Sequence, residues 1–216
     1  MTEESLENKE EVNKPKKKKH KFFETLETIV IALILAIFIR ATVAEARYIP
    51  SESMVPTLLV QDRLVVEKIS NYMGTPKRGE ILVFYPPKRD TVTSSGVANG
   101  VAKEDYDNLL SRTYLWLGFT TKVAYIKRVV GLPGETLEVK NGTVFINGNP
   151  LQEDYINEKP FYDYGPIKIK DDELFMMGDN RNNSLDSHAW GPLPMQNIIG
   201  HAVLRFWPPQ RIGSIK

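Results

Sequence analysis

From Thr28 to Ile39 the chain runs for 12 residues without a charge, TIVIALILAIFI. The run is apolar all round rather than along one stripe, so it predicts a helix with no polar side. Alone it falls short of the roughly 20 residues that cross a bilayer. A long basic side chain near a helix end can reach the headgroups, so Arg40 is tolerated and the stretch extends from Leu26 to about Ala44. Two other readings compete with a span over 22–45: a buried core helix, and a signal sequence cleaved near ATVAEA. A core helix would keep a polar side. The segment just beyond, YIPSESM, looks functional and close to a membrane, which favours an uncleaved span.

After residue 46 the pattern changes to short runs rich in β-branched and aromatic residues, bounded by turn signals. Strands are predicted over 63–68, 80–85, 123–130, 135–139, 143–146, 173–177 and 201–207. Asn141-Gly142 separates two of these runs and predicts a tight hairpin, and a second Asn-Gly pair, 147–148, ends the next strand. No βαβ alternation and no internal repeat is present, so the fold class is mainly β, with antiparallel sheets. Residues 86–122 depart from the pattern. A Pro/Ser/Gly-rich loop leads into VAKEDYDNLLSRTYLWLGF, where Ala102, Tyr106, Leu109, Leu110, Thr113 and Leu117 fall near helical spacing. Its apolar end, with Trp116 and Phe119, reads either as core or as a segment dipping into a bilayer face.

Charge adds direction. The net charge is +1, so bulk electrostatics favours no class of partner. Residues 1–21, however, pass from acidic to KPKKKKHK with few apolar residues, which predicts a disordered tail. A lysine run alone reads as a solvated tail or a nucleic-acid contact. Followed by a span, it reads instead as the cytoplasmic end of a single-pass protein, with no nucleic-acid partner. The domain 46–216 is then extracytoplasmic. There is no cysteine, which excludes disulfides, thiol catalysis and cysteine-bound metal.

Three stretches could carry chemistry. In YIPSESMVPTL, Pro50 and Pro56 restrict the backbone around Ser51 and Ser53. In AYIKRVVGLPGE, Lys127 sits among Tyr125, Ile126, Val129 and Val130, with Arg128 on the opposite strand face. A lysine serves as a base only when neutral, and an apolar setting favours that form. A surface lysine on a strand edge is the alternative. The third stretch, MMGDNRNNSLDSHAWGPLP, reads as a loop of Asx and Ser turns. His188 and His201 lack metal-ligand spacing, and no phosphate-binding glycine motif occurs, so no metal or cofactor is expected. A Ser-His-Asp triad based on either histidine stays open.

Together and in this order, the basic tail, the span, IPSESMVPTL, YIKRVVGLPGE and MGDNRNNSLDSHAWGPLP resemble type I signal peptidase, the membrane-bound serine protease that removes signal peptides. QDRLVVEK and KRGEILVFYPP add to the likeness, which runs from about residue 22 to 207 and leaves 86–122 as a variable insertion. The resemblance implies Ser53 as nucleophile and Lys127 as general base. It implies that the Ser51 hydroxyl and the Ser53 N–H form an oxyanion hole, that Ser184 hydrogen-bonds the lysine, and that Asp186 supports the site. It further implies a structural ion pair of Arg128 with Asp179. Ile49, Pro50, Leu58, Tyr125 and Ile126 would bind a signal peptide with small residues at −1 and −3, lying extended along 123–127 and 48–52. The implied catalytic domain is built of coiled sheets with an apolar surface that meets the membrane, and is expected to act as a monomer.

Two positions depart from the family pattern: His188 stands where arginine is frequent, and Asn182 where a second acid is usual. They leave open how Asp186 is held, with Arg205 and Arg181 as candidate partners. A Ser/Lys protease of the self-cleaving repressor family would need a DNA-binding motif in place of the span. A non-catalytic, membrane-anchored binding domain would not need Ser53 and Lys127 together.

Overall fold

A computed structural model of the chain describes residues 17–87 and 123–215. The amphipathic stretch expected within 101–119 therefore lies outside the described residues, as does the tail up to residue 16.

Helix α1, Lys17–Thr42, contains one apolar stretch of 21 residues, Phe22–Thr42, that is unburied by protein. At 1.5 Å per residue it is about 31 Å long, which matches a hydrocarbon core of about 30 Å. Two threonine hydroxyls within it bond back to the helix, Thr28 to the Glu24 carbonyl and Thr42 to the Phe38 carbonyl. Their polar atoms thus need no water. The helix stops at Thr42, short of the expected 45, because the chain from Ala44 pairs as a strand instead.

The remainder forms two antiparallel sheets. The larger contains β1 (Ala44–Tyr48), β2 (Arg63–Glu67), β3 (Ile81–Phe84), β4 (Tyr125–Gly131), β9 (Glu173–Met177), β10 (Leu193–Pro194), β11 (Ile198–Trp207) and β12 (Gly213–Ser214). Its order is β1-β2-β11-β3-β4-β9-β10, with β12 on β11. The smaller runs β7-β6-β5-β8, built from β5 (Thr136–Lys140), β6 (Thr143–Ile146), β7 (Asn149–Pro150) and β8 (Tyr164–Lys168). Both Asn-Gly pairs close hairpins, β5–β6 and β6–β7, with Asn141, Gly142, Asn147 and Gly148 all at positive φ. That is the twist that two-residue hairpin loops require.

β11 is ten residues long and is interrupted by three register shifts. Such bulges bend and over-twist a strand. β11 therefore curls, pairing with β3 through Ile198–His201 and with β2 from His201 onward. The predicted coiled, antiparallel, mainly β architecture is what the chain adopts.

One core cluster bears directly on the serine segment. Ile49, Met54 and Leu58 are buried with Leu64, Val66, Ile81, Val83 and Ile126. A methionine directly after Ser53 is thereby explained: Met54 is fully buried and pins the loop from beneath.

Candidate active site

Ser53 lies on the loop between β1 and β2, and Lys127 lies on β4. Lys127 Nζ donates to Ser53 Oγ at 2.6 Å and to the Ile126 carbonyl at 2.9 Å. Lys127 is 4 % exposed, so the surface-lysine alternative does not hold. Burial lowers its pKa to about 8, opposed by the negative charges of Asp186 and Asp179. A pKa near 8 leaves part of the amine neutral, and able to accept a proton, at physiological pH.

The serine loop is held from several directions. Ile49 exchanges backbone bonds with Asp62 and Gln61, donating to Asp62 O and accepting from Gln61 N. The Ser53 carbonyl accepts from the Asn180 N–H at 3.1 Å, and the Asn180 amide donates to the Glu52 carbonyl. Ser51 Oγ stands 3.4 Å from Ser53 Oγ. Asp62, almost fully buried, accepts from Leu59 N and is ion-paired with Arg211 and, more distantly, Arg205. Both arginines also donate to the Thr57 carbonyl.

Arg128, the next residue on β4, makes a two-pronged bond to Asp179, at 2.8 and 2.7 Å. Asp179 also accepts from the Thr57 hydroxyl, and Arg128 donates to the Gly79 carbonyl. Tyr155 lies 4.1 Å under the guanidinium. Glu153 accepts the Tyr155 hydroxyl and two bonds from the buried Arg181. Burial, assisted by Glu153, pushes the Tyr155 phenol above its ordinary pKa, so it stays neutral. Neither Glu153 nor Tyr155 carried a signal in the sequence, because the arginines they hold lie more than 20 residues away.

Asp186 is fully buried, and its support differs from both expected routes. Arg181 is committed to Glu153, and Arg205 to Asp62 and Thr57. His188 itself holds the carboxylate, with Nδ1 2.7 Å from Oδ1. Asp186 also caps the short helix α2, Ser187–Trp190, by accepting from His188 N. Its other oxygen accepts from Gly178 N at 2.8 Å. Ser184 corrects a further expectation: its Oγ is buried without a hydrogen-bond partner, so no bond to Lys127 forms. Lys127 directs its bonds to Ser53 and the Ile126 carbonyl instead.

Gly178 lies where the β9 strand turns over the serine loop. A Cβ there would sit 2.2 Å from Ser184 Oγ and 2.4 Å from the Ser53 carbonyl oxygen. Gly178→Ala should therefore displace the nucleophile's backbone, cost about 1–3 kcal/mol of stability and lower the cleavage rate more than substrate binding. Denaturant melts and steady-state kinetics on the same preparation check both parts.

The histidines do not form a triad with Ser53. His188 serves Asp186, and His201 faces Glu80 at 3.3 Å. His201 lines a cavity of about 390 Å³ with Glu67, Gly79 and Ala202, apart from Ser53 and Lys127. Among the described residues no cluster of three metal-binding side chains occurs. Of the expected substrate-contact residues, Ile49, Leu58 and Ile126 are buried in one cluster, Tyr125 is half-buried and Pro50 is exposed.

The model of the family described as signal peptidase, peptidase S26, matches residues 22–207. The chain is 49% identical over 192 residues to a signal peptidase I of Leptolyngbya laminosa, covering 89% of this chain and 83% of that one. A probable signal peptidase I-1 of Synechocystis sp. is 46% identical over 192 residues, 89% of this chain and 86% of the relative. A chloroplastic thylakoidal processing peptidase 1 of Arabidopsis thaliana is 33% identical over 191 residues, covering 88% of this chain and 50% of its own length.

Proposed function

The chain belongs to the signal peptidase family, peptidase S26, and removes signal peptides; from that premise we propose that Ser53 is the nucleophile and Lys127 its general base. The observation that carries this reading is the 2.6 Å contact between a buried, pKa-lowered amine and a serine hydroxyl. Ser53 Oγ attacks the scissile carbonyl while neutral Lys127 takes its proton. The resulting ammonium protonates the leaving amine, and Lys127 then activates water to release the acyl group. The Ser53 N–H and the Ser51 hydroxyl stabilise the oxyanion, each such donor being worth about 3 kcal/mol.

Strand geometry supports an extended substrate. β4 pairs with β3 through Tyr125–Arg128, but its pairing with β9 begins only at Arg128. Residues 125–127 thus keep one edge open to main-chain hydrogen bonds, the mode by which extended peptides add to sheets. Ile49, Leu58 and Ile126 are already packed, which leaves no volume for long side chains at −1 and −3.

The same reading makes α1 the membrane anchor, with the lysine-rich tail in the cytoplasm and the β domain on the other side. Exposed Tyr72, Met73, Trp207 and Ile212 suit contact with lipid. The site draws every group from one chain, which fits a working monomer.

The test is cleavage in detergent of a preprotein carrying Ala at −1 and −3, with the product's N-terminus read by mass spectrometry. Wild type should cut once, after the −1 Ala, and Ser53→Ala should not cut. With a pKa of about 8, Lys127 is about a tenth neutral at pH 7 and about nine-tenths neutral at pH 9, so the rate should rise across that interval. Cutting by Ser53→Ala, or a rate that falls above pH 7, would overturn the assignment.

A further inference from the structure

Asp186 is buried beside the dyad, yet the side chain that holds it is a histidine rather than a basic chain of fixed charge. A carboxylate only accepts, so His188 Nδ1 carries the hydrogen in this pair. The Tyr162 ring lies flat on the imidazole, with centroids 4.3 Å apart and planes at 19°. The Tyr162 hydroxyl is buried without a partner, so the tyrosine's contribution is its ring face. From Asp186 the chain of contacts continues to Gly178 N, and from Gly178 to the Ser53 carbonyl it packs against.

We propose that Tyr162 and His188 are positioning residues for the Ser53–Lys127 dyad. Tyr162 sets the plane of the imidazole, His188 sets the Asp186 carboxylate, and Asp186 holds Gly178 against the nucleophile's own backbone. This rests on the dyad reading above. The second link is electrostatic. Lys127 is surrounded by the Ser53 hydroxyl, the Tyr125 ring, Asp186 and Asp179. His188 is faced by Asp186 and Tyr162, and Tyr162 in turn senses Arg181 and Glu153. Residue 188 therefore sets how much of the Asp186 charge reaches the base. An arginine there, always cationic, would offset that charge and ease deprotonation of Lys127.

The test uses the full chain in detergent and the same preprotein, comparing wild type with Tyr162→Phe, Tyr162→Leu, His188→Leu and His188→Arg. Misplacing catalytic groups from a distance costs up to about 100-fold. Tyr162→Leu and His188→Leu should lose about tenfold to 100-fold in kcat with KM nearly unchanged. Tyr162→Phe, which keeps the ring, should match wild type. His188→Arg should shift the rising limb of the pH–rate profile to lower pH. Folded leucine variants with wild-type kcat would overturn the proposal, as would a His188→Arg limb that does not move. The limb also decides the matter should the leucine variants fail to fold. A failure of the dyad reading is distinguishable, because Lys127→Met would then still cut.

Discussion

Lys127→Met should lose about 10⁴-fold or more of the cleavage rate and yet be harder to unfold than the wild type at pH 7. Both results come from the same buried amine. Catalytically, methionine fills a similar volume but cannot accept a proton from Ser53. Thermodynamically, burial lowers the folded-state pKa of Lys127 from 10.5 to about 8, so folding must work against its charged form. Between those two values the unfolded chain binds more protons than the folded one, and wild-type stability therefore rises with pH. Below about pH 8 the full penalty is present. A difference of about 2.5 pKa units is roughly 3 kcal/mol, the ceiling on what methionine could recover. Only above about pH 11.5 is the amine neutral in both states, so the advantage should shrink steadily through pH 10 and vanish beyond it. Chemical denaturation at pH 7 and pH 10 measures it; a gap of equal size at both would mean the amine is not desolvated.

Asp179→Ala should destabilise the catalytic domain by about 3–5 kcal/mol, the usual cost of stranding one member of a buried ion pair. Arg128 is 3 % and Asp179 0 % exposed by side chain, so water cannot replace the lost carboxylate. Other partners of Arg128, the Gly79 carbonyl, Thr57 and the Tyr155 ring, offer dipoles and a ring face where a full charge is needed. Thr57 would lose its own acceptor at the same time. Domains are commonly stable by only about 5–15 kcal/mol, so the variant should unfold at clearly lower denaturant and express poorly. A shift of under about 1 kcal/mol would show that the guanidinium finds solvent.

Much of this was legible in the chain and some was not, for identifiable reasons. Runs of β-branched residues gave the strands from β2 to β6, β9 and most of β11, and Asn141-Gly142 gave the β5–β6 hairpin, because those signals are local. The second Asn-Gly pair marked the end of β6 but not the two-residue β7 beyond it. β1 was hidden: AEARY continues directly from the span, with no turn residue to mark a boundary. β8 was hidden too, since Gly165-Pro166 in its middle reads as a break. The four-residue helix after Asp186 lay inside a stretch that looked like turns alone. At the site, the positions of Ser53, Lys127, Arg128 and Asp179 came from motif resemblance. Their neighbours did not. Glu153 on Arg181, Tyr155 on Arg128 and Tyr162 on His188 join segments that no spacing rule connects. The expected bond from Ser184 to Lys127 was supplied by resemblance alone; in the structure Ser184 Oγ has no partner, and the lysine donates to Ser53 and Ile126.

Lys127 and Arg128 are consecutive, and a strand sends consecutive side chains to opposite faces. A slip of β4 by one position would deliver a permanently charged guanidinium to Ser53 and an ammonium to Asp179. The first cannot act as a base, and the second cannot fill a site shaped for a planar fork. The two-pronged bond to Asp179 thus works as a phase lock on the strand, favouring the one alignment in which the proton acceptor meets its serine. Misaligned chains would be marked by poor folding before they could ever be tried as enzymes.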